Sequence, residues 1–492
     1  MARRLDSLSW GTLFDRTAVS GRPLQKRLRE MVIGAASEGW LRPETPLPSS
    51  RCLAETLSVA RNTVLLAYEQ LVEEGVLESR ARQGFFIRQS SSLPTPGGTD
   101  RSAGDLDWSE RLSLRPSLRR NIVKPQDWLS YPYPFLYGQF DPALFPTNNW
   151  RECVREALSV AEIRDWAVDR IDGDDTQLIE QIRTRVLPRR GIWAGTDEIM
   201  VTLGAQQALY LLSMLLVDQK TVVGVEEPGY PDARNIFSLR TSNLRRLPVD
   251  ANGVVVGAVP RDCGLLFLTP SRQCPTGVTL APERGAALLQ LAEQRDLLII
   301  EDDYESNFGL AQNTVQSLRA LDTTGRVLYV GSLSKTLAPG LRFGFIVAPA
   351  PVLREARALR RLMMRHAPMN NQRALALFLA LGHFDRLLRR SAEALSDRAA
   401  IMRDALATHI PQFECSFGAG GSSVWARGPA WLDSRELARR AALNGVLVEP
   451  GDVFFSGEQP PLNYLRIGFS SIAANRITPG IRILAQLVEE LR

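Results

Sequence analysis

The chain of 492 residues is 45% apolar and carries 59 Lys and Arg against 54 Asp and Glu, a net charge of +5. This length calls for more than one domain with sizeable cores, and its longest apolar stretch, Ala208 to Val217 behind Gln206 and Gln207, is too short to cross a bilayer. No apolar run follows Arg3 and Arg4, and the five cysteines are scattered with no Cys-x-x-Cys spacing, which argues against a secretory signal, a disulfide framework and a zinc site and fits a reducing cytoplasm.

Leu24, Leu28, Met31, Val32 and Ala35 recur at helical spacing, with Gly39 as a stop. The run Pro48–Leu57 opens with a serine cap, and the short turn Ser58–Arg61 leads into Asn62–Glu74, where Val64, Ala67, Tyr68 and Leu71 form one stripe. Two short helices joined by a tight turn fit helix-turn-helix geometry, and Val76–Arg88, alternating around Gln83 and Gly84, predicts a hairpin wing. Residues 1–88 hold 13 Lys and Arg against 10 Asp and Glu, so charge alone does not single out a DNA-binding domain. The motifs do: Leu-Pro-Ser-Ser-Arg at 47–51, Ala-Arg-Asn-Thr-Val at 60–64 and Ala-Tyr-Glu-Gln-Leu at 67–71 resemble the winged-helix domain of the GntR class of bacterial repressors. The resemblance implies a DNA-binding domain over 1–89. Arg51, Arg61, Asn62 and Thr63 would contact double-stranded operator DNA, and Gln83 and Gly84 at the wing tip would enter the minor groove. Two positions depart from the pattern, Ala60 where Ser or Thr is usual and Leu65 where some members carry another DNA-contacting arginine.

Residues 90–125 begin with serine, proline and glycine and continue into an arginine-rich stretch without a period of 2 or 3.6, which predicts a linker. Its Arg111, Arg115, Arg119, Arg120 and Lys124 are expected to be a solvated, charged tether.

From 126 to 492, apolar runs at Ile199–Thr202, Thr221–Val225, Gly264–Leu268, Leu297–Ile300, Val327–Val330 and Gly344–Val347 alternate with helical segments. Fully apolar short strands between helices predict an α/β fold with a mostly parallel sheet covered on both faces. Gly204, ahead of Ala205 and Gln206, opens a helix whose N–H groups could meet a phosphate. Tyr230 ends another strand, where its ring could stack on a flat heterocycle. Glu301, Asp302 and Asp303 follow a buried run and precede Tyr304; a single carboxylate there would keep a pyridine nitrogen protonated. A metal is the alternative use of three acids, but the three histidines, His366, His383 and His409, lie elsewhere in the sequence, so no metal site is expected. Lys335 is one of four lysines in a chain where arginine dominates, and it sits in a loop with Ser332, Ser334 and Arg342. An amine that can lose its proton beside anion-binding groups points to pyridoxal phosphate.

In order, these stretches resemble the fold-type I pyridoxal phosphate aminotransferases from about residue 130 to the end. The resemblance implies a Schiff-base linkage to Lys335, Asp302 on the pyridine nitrogen, Tyr304 on the phenolic oxygen and Tyr230 stacked on the ring. Ala205, Gln206, Ser332 and Arg342 would hold the phosphate, and Arg466 would grip an effector carboxylate. Cys274 stands where working aminotransferases usually place an asparagine, which disfavours efficient turnover, and the segment Asp172-Gly-Asp-Asp lacks the usual glycine and proline pattern. A GntR-like winged helix joined to such a domain resembles the MocR/GabR-type transcriptional regulators. That implies a cytoplasmic homodimer that senses a small amino compound by Schiff-base exchange at Lys335. Members of the group respond to 4-aminobutyrate, taurine, ectoine-derived diamino acids or the cofactor vitamer. The alternatives are a catalytically active aminotransferase with an accessory DNA-binding arm and a regulator of pyridoxal phosphate itself.

Overall fold

Residues 7–17, 23–37, 41, 43, 45–81, 83–88, 108–305 and 316–492 are described by the computed structural model, and they fall into two units, Met1–Arg115 and Pro116–Arg492. In the first unit, four helices, α1 (Ser7–Arg16), α2 (Leu24–Ser37), α3 (Ser50–Leu57) and α4 (Arg61–Glu73), precede the hairpin β1 (Leu77–Arg80) and β2 (Gly84–Ile87). Ser49 caps α3 by accepting a hydrogen bond from the Cys52 amide at 3.2 Å, and Ser58, left-handed at φ 53°, turns the chain toward α4. The expected stripe is the core: Val64, Ala67, Tyr68 and Leu71 of α4 pack with Leu28, Met31, Val32 and Ala35 of α2. Tyr68 keeps its hydroxyl satisfied by donating to the Pro48 carbonyl at 3.1 Å. Trp10, Leu13 and Phe14 of α1 complete that core, a helix the apolar spacing had not suggested. The wing pairs antiparallel from Leu77 opposite Ile87 to Arg80 opposite Gly84.

The second unit is built on an eight-stranded sheet. From one edge its strands run Ile199–Thr202, Gly344–Val347, Val327–Ser332, Leu298–Asp303, Leu265–Leu268, Val223–Glu227, Leu244–Asp250 and Gly253–Val254. The five strands from Val327–Ser332 to Leu244–Asp250 are parallel neighbours, while Gly344–Val347 is antiparallel to both of its own. Most of these strands are buried along their whole length because helices cover both faces, as the unbroken apolar runs require. A second, antiparallel sheet near the carboxyl terminus orders Glu414–Phe417, Ser423–Arg427, Tyr464–Gly468 and Glu449–Pro450. It packs on the long helices His383–His409 and Ala474–Glu490.

Of the stretch expected as a linker, residues 90–107 lie outside the described residues, and Pro116–Pro125 fold with the second unit. Arg111, Arg115 and Arg119 are exposed as a tether would be. Arg120 and Lys124 are not: Arg120 Nη2 donates to the carbonyls of Phe455 and Gly457 at 2.7 and 2.9 Å, and Lys124 is tied to Tyr137 and Glu449. The expectation of a solvated charge fails at both because carbonyls and an acid distant in sequence supply their partners.

The segment Asp172–Asp175 finds its use in packing. Asp174 accepts from Arg360 Nη1 at 2.6 Å and from the Val201 amide at 3.1 Å. Asp175 caps the helix Thr176–Gln181 and accepts from Arg373 Nε at 2.8 Å. No helix among the described residues is long and apolar enough to cross a membrane.

Candidate functional site

Parallel strands leave their carboxyl ends facing a common crevice. Here that crevice is a cavity of about 250 Å³, lined in part by Lys335, Asp302, Tyr304, Tyr230, Ala205, Gln206, Ser332, Arg342 and Arg466. All nine residues expected to bind cofactor or effector therefore share one cavity, although they span more than 260 positions of sequence.

Lys335 lies just beyond the strand Val327–Ser332, and burial pushes its amine down to about 8, with Lys124 and Arg466 adding repulsion. Gly138, at φ 69°, leaves room for it, since a Cβ there would stand 2.5 Å from Nζ. Asp302 sits near the end of the neighbouring strand, 2% exposed, and its Oδ1 has no hydrogen-bond partner among the described residues. Burial, then the Asp303 charge, push its carboxyl up to about 8.

At one end of the cavity is an anion-binding set. Gly204, at φ 81°, turns the chain into the helix Ala205–Leu216, whose start carries no side-chain cap. Ala205 and Gln206 at the start of that helix, Ser332 and Arg342 all line the cavity, and the first N–H groups of a helix, a hydroxyl and a guanidinium are anion-binding chemistry. Arg342 itself is left-handed at φ 56°, a conformation costly for a side-chain-bearing residue, and its Nη2 donates to the Leu203 carbonyl at 2.9 Å. Ser334 faces the cavity too, but its hydroxyl accepts from the Phe343 amide at 2.7 Å and donates to the Phe343 carbonyl at 2.9 Å, which holds the loop.

The middle of the cavity is aromatic. Tyr230 donates to Asp232 Oδ2 at 3.0 Å, and Tyr304 stands edge-on to Tyr137 with centroids 6.4 Å apart. Burial raises both Tyr230 and Tyr304 well above ordinary phenols, so each stays protonated; the Tyr230 proton is committed to Asp232, and that of Tyr304 is available to a ligand. Cys274 lines the same wall, and burial pushes its thiol up to about 12, which leaves a neutral, weak donor there.

Arg466 is 3% exposed, and its Nε donates to Glu449 Oε2 at 2.6 Å. Its guanidinium carbon lies 4.1 Å from the Tyr137 ring centroid and 4.6 Å from that of Phe454. The anionic partner that a buried arginine requires is thus supplied from within the fold, while the remaining nitrogens make no hydrogen bond among the described residues.

Sequence patterning missed Lys124, Tyr137 and Glu449. Tyr137 precedes Gly138 in an aromatic run with no period, and Glu449 meets Arg466 only because their two strands pair, Glu449 opposite Arg466.

On the first unit, Arg51, Arg61, Asn62, Gln83 and Gly84 are exposed and Thr63 is half-buried. Arg61, Asn62 and Thr63 form the first turn of α4, where Ala60 provides no side-chain cap and leaves amide groups free for an anion. Gln83 and Gly84 stand at the hairpin tip, with Gly84 at φ 105°. Arg51 lies in the first turn of α3, 3.7 Å from Glu55.

An α/β body with a buried lysine in a cavity at the ends of its strands, on a chain that opens with a winged helix, defines a regulator class with an aminotransferase-like domain. The family described as aminotransferase class I and II matches residues 174–482, and that of the bacterial regulatory proteins, gntR family, matches residues 24–87. The HTH-type transcriptional regulator TauR of Rhodobacter capsulatus is 41% identical over 94% of this chain and 96% of its own. The probable rhizopine catabolism regulatory protein MocR of Rhizobium meliloti is 30% identical over 94% of this chain and 93% of its own. The chain belongs to this family of MocR/GabR-type transcriptional regulators. Its second unit has a fold-type I aminotransferase fold. The alpha-aminoadipate aminotransferase LysN of Thermus thermophilus, solved with N-(5'-phosphopyridoxyl)-L-leucine, superposes with a TM-score of 0.67 at 29% identity over 78% of this chain and 99% of its own. The kynurenine aminotransferase of Pyrococcus horikoshii gives 0.70 at 25% identity over 79% and 98%.

Proposed function

We propose that this transcriptional regulator holds pyridoxal phosphate at Lys335 and reads a small primary amine there, acting as a cytoplasmic homodimer on operator DNA. The observation that carries the proposal is a buried, partnerless Asp302 oxygen in the same cavity as a buried amine with a lowered pKa. An orphaned carboxylate oxygen costs free energy unless a donor arrives, and the ring nitrogen of the cofactor is such a donor. When bound, pyridoxal phosphate supplies an aldehyde carbon that condenses with primary amines and a ring that withdraws electrons from it.

The chain's own residues then divide the work. Asp302 keeps a proton on the ring nitrogen, Tyr304 donates to the phenolic oxygen, and Tyr230 covers the ring. Ser332, Arg342 and the amide groups opening with Ala205 and Gln206 neutralise the phosphate. Lys335 provides a nucleophile that is partly unprotonated near neutral pH and would hold the cofactor, in competition with an incoming amine. Arg466 offers its free nitrogens to an acid group on that amine. Cys274 gives the site a weaker donor than an asparagine would, which favours sensing over turnover. In the first unit Arg61, Asn62 and Thr63 contact DNA from the start of α4, with Arg51, Gln83 and Gly84 flanking.

The test combines two measurements on the full chain. Borohydride reduction with pyridoxal phosphate should fix the cofactor on Lys335, located by peptide mapping. Operator affinity should then change on adding the cognate amine, without multiple turnovers. Sustained keto-acid production with an acceptor, together with DNA binding indifferent to the amine, would favour an aminotransferase instead.

A further inference from the structure

Resting on the effector-sensing function proposed above, we propose that Lys124 determines effector specificity: with Arg466 it binds the acid group of a primary amine that carries one such group. Lys124 belongs to a strap, Arg120–Lys124, that lies across the second unit and forms one wall of the cavity through Ile122 and Lys124. The strap is well anchored. Besides the Arg120 bonds, Asn235 Nδ2 donates to the Arg120 carbonyl at 3.0 Å, and Asn121 Nδ2 donates to Asp232 Oδ1 at 2.6 Å.

Charge around Tyr137 is out of balance. The Lys335 nitrogen, the Lys124 nitrogen and the Arg466 guanidinium carbon lie 4.9, 5.7 and 4.1 Å from its ring centroid. Lys335 is committed to the cofactor. Lys124 and Arg466 then share one carboxylate, Glu449, at 3.3 and 2.6 Å. Glu305 is engaged by Arg272 and Ser422. Asp232, the other acid beside Asp302 on the cavity wall, has its two oxygens engaged by Asn121 and Tyr230. Glu449 is therefore the carboxylate that Lys124 and Arg466 share, and one acid group placed between them would match the second cation.

The fold does not use up the hydrogen-bonding capacity of Lys124. The Lys124 ammonium donates to the Tyr137 carbonyl and keeps further donors for a ligand. An acid group held between Lys124 and Arg466 would leave the amine end of a short chain directed at the site of Lys335. Because Lys124 closes the segment arriving from the winged helix, the effector's acid group would be gripped partly by the connecting chain itself.

The experiment titrates cofactor-loaded protein by its absorbance with straight-chain amino acids of increasing length, each against the alkylamine of the same length. Wild-type protein should prefer an acid-bearing member of the series. Lys124→Met should weaken that amino acid roughly tenfold relative to its alkylamine, the scale of one charge-assisted hydrogen bond, and Lys124→Arg should restore much of the ratio. Equal weakening of both ligands, an unchanged ratio, or a wild type without preference for any acid-bearing amine overturns the proposal. Borohydride labelling of wild-type Lys335 is scored separately: its absence would remove the sensing function, whereas labelling with an unchanged ratio removes only the role of Lys124.

Discussion

The lowered pKa of Lys335 makes a quantitative prediction about the cofactor-free protein. With the amine at about 8 in place of 10.5, about 9% is unprotonated at pH 7 against about 0.03% for an ordinary lysine, roughly a 300-fold excess of nucleophile. Burial is the leading cause and repulsion by Lys124 the next. Lys124→Met should therefore move the titration upward, toward the ordinary value, without abolishing it. Trace acylation with a small uncharged reagent, quantified at each lysine by mass spectrometry across pH, reads the free-amine fraction directly. Reactivity at Lys335 should rise with a midpoint near pH 8, and the Lys124→Met midpoint should lie higher. A Lys335 profile that climbs only near pH 10, or a variant midpoint that falls, would refute the electrostatic account of the site.

Three further outcomes are expected. Lys335→Ala should abolish the borohydride-fixed label, and a label appearing at Lys220 instead would show that the cavity does not select the amine. Arg466→Met should destabilise the protein by about 3 kcal/mol, because Glu449 is left buried with only Lys124 near it; urea unfolding should show much of that loss recovered in Arg466→Met/Glu449→Gln, and no recovery would locate the effect elsewhere. Arg61→Ala should weaken operator binding by about 1–3 kcal/mol for a base contact, or reduce the salt dependence for a phosphate contact; affinity and salt slope both unchanged would remove Arg61 from the interface.

The sequence was most legible where local chemistry and local geometry coincide. Runs such as Val327–Val330 are apolar because both faces of the sheet are covered, and Asp302 and Ser332 end such strands with Tyr304 just beyond, so residue type and position point the same way. The stripe of α4 and the serine cap of α3 were readable for the same reason. Lys124 was not, because nothing within Asn121–Pro125 distinguishes a lysine tied to Glu449 from one in solvent. The partner is more than 300 residues away, and only the folded sheet brings it near. Arg466 was singled out through the resemblance, as a grip for a carboxylate, but not that Glu449 already stands on the paired strand. Nor did apolar spacing reveal α1, whose Trp10, Leu13 and Phe14 join the core of the first unit.

The walls of the cavity are mounted on different parts of the fold. Asp302, Ser332 and Lys335 come from the ends of the large sheet and the loop that follows it, whereas Glu449 and Arg466 belong to the smaller antiparallel sheet and Lys124 to the strap. Under the function proposed above, substitutions that retune which amine is recognised can therefore accumulate on the small sheet and the strap while the proposed mounting of the cofactor stays fixed. A biosensor for a new amine is best sought by varying that half of the cavity alone.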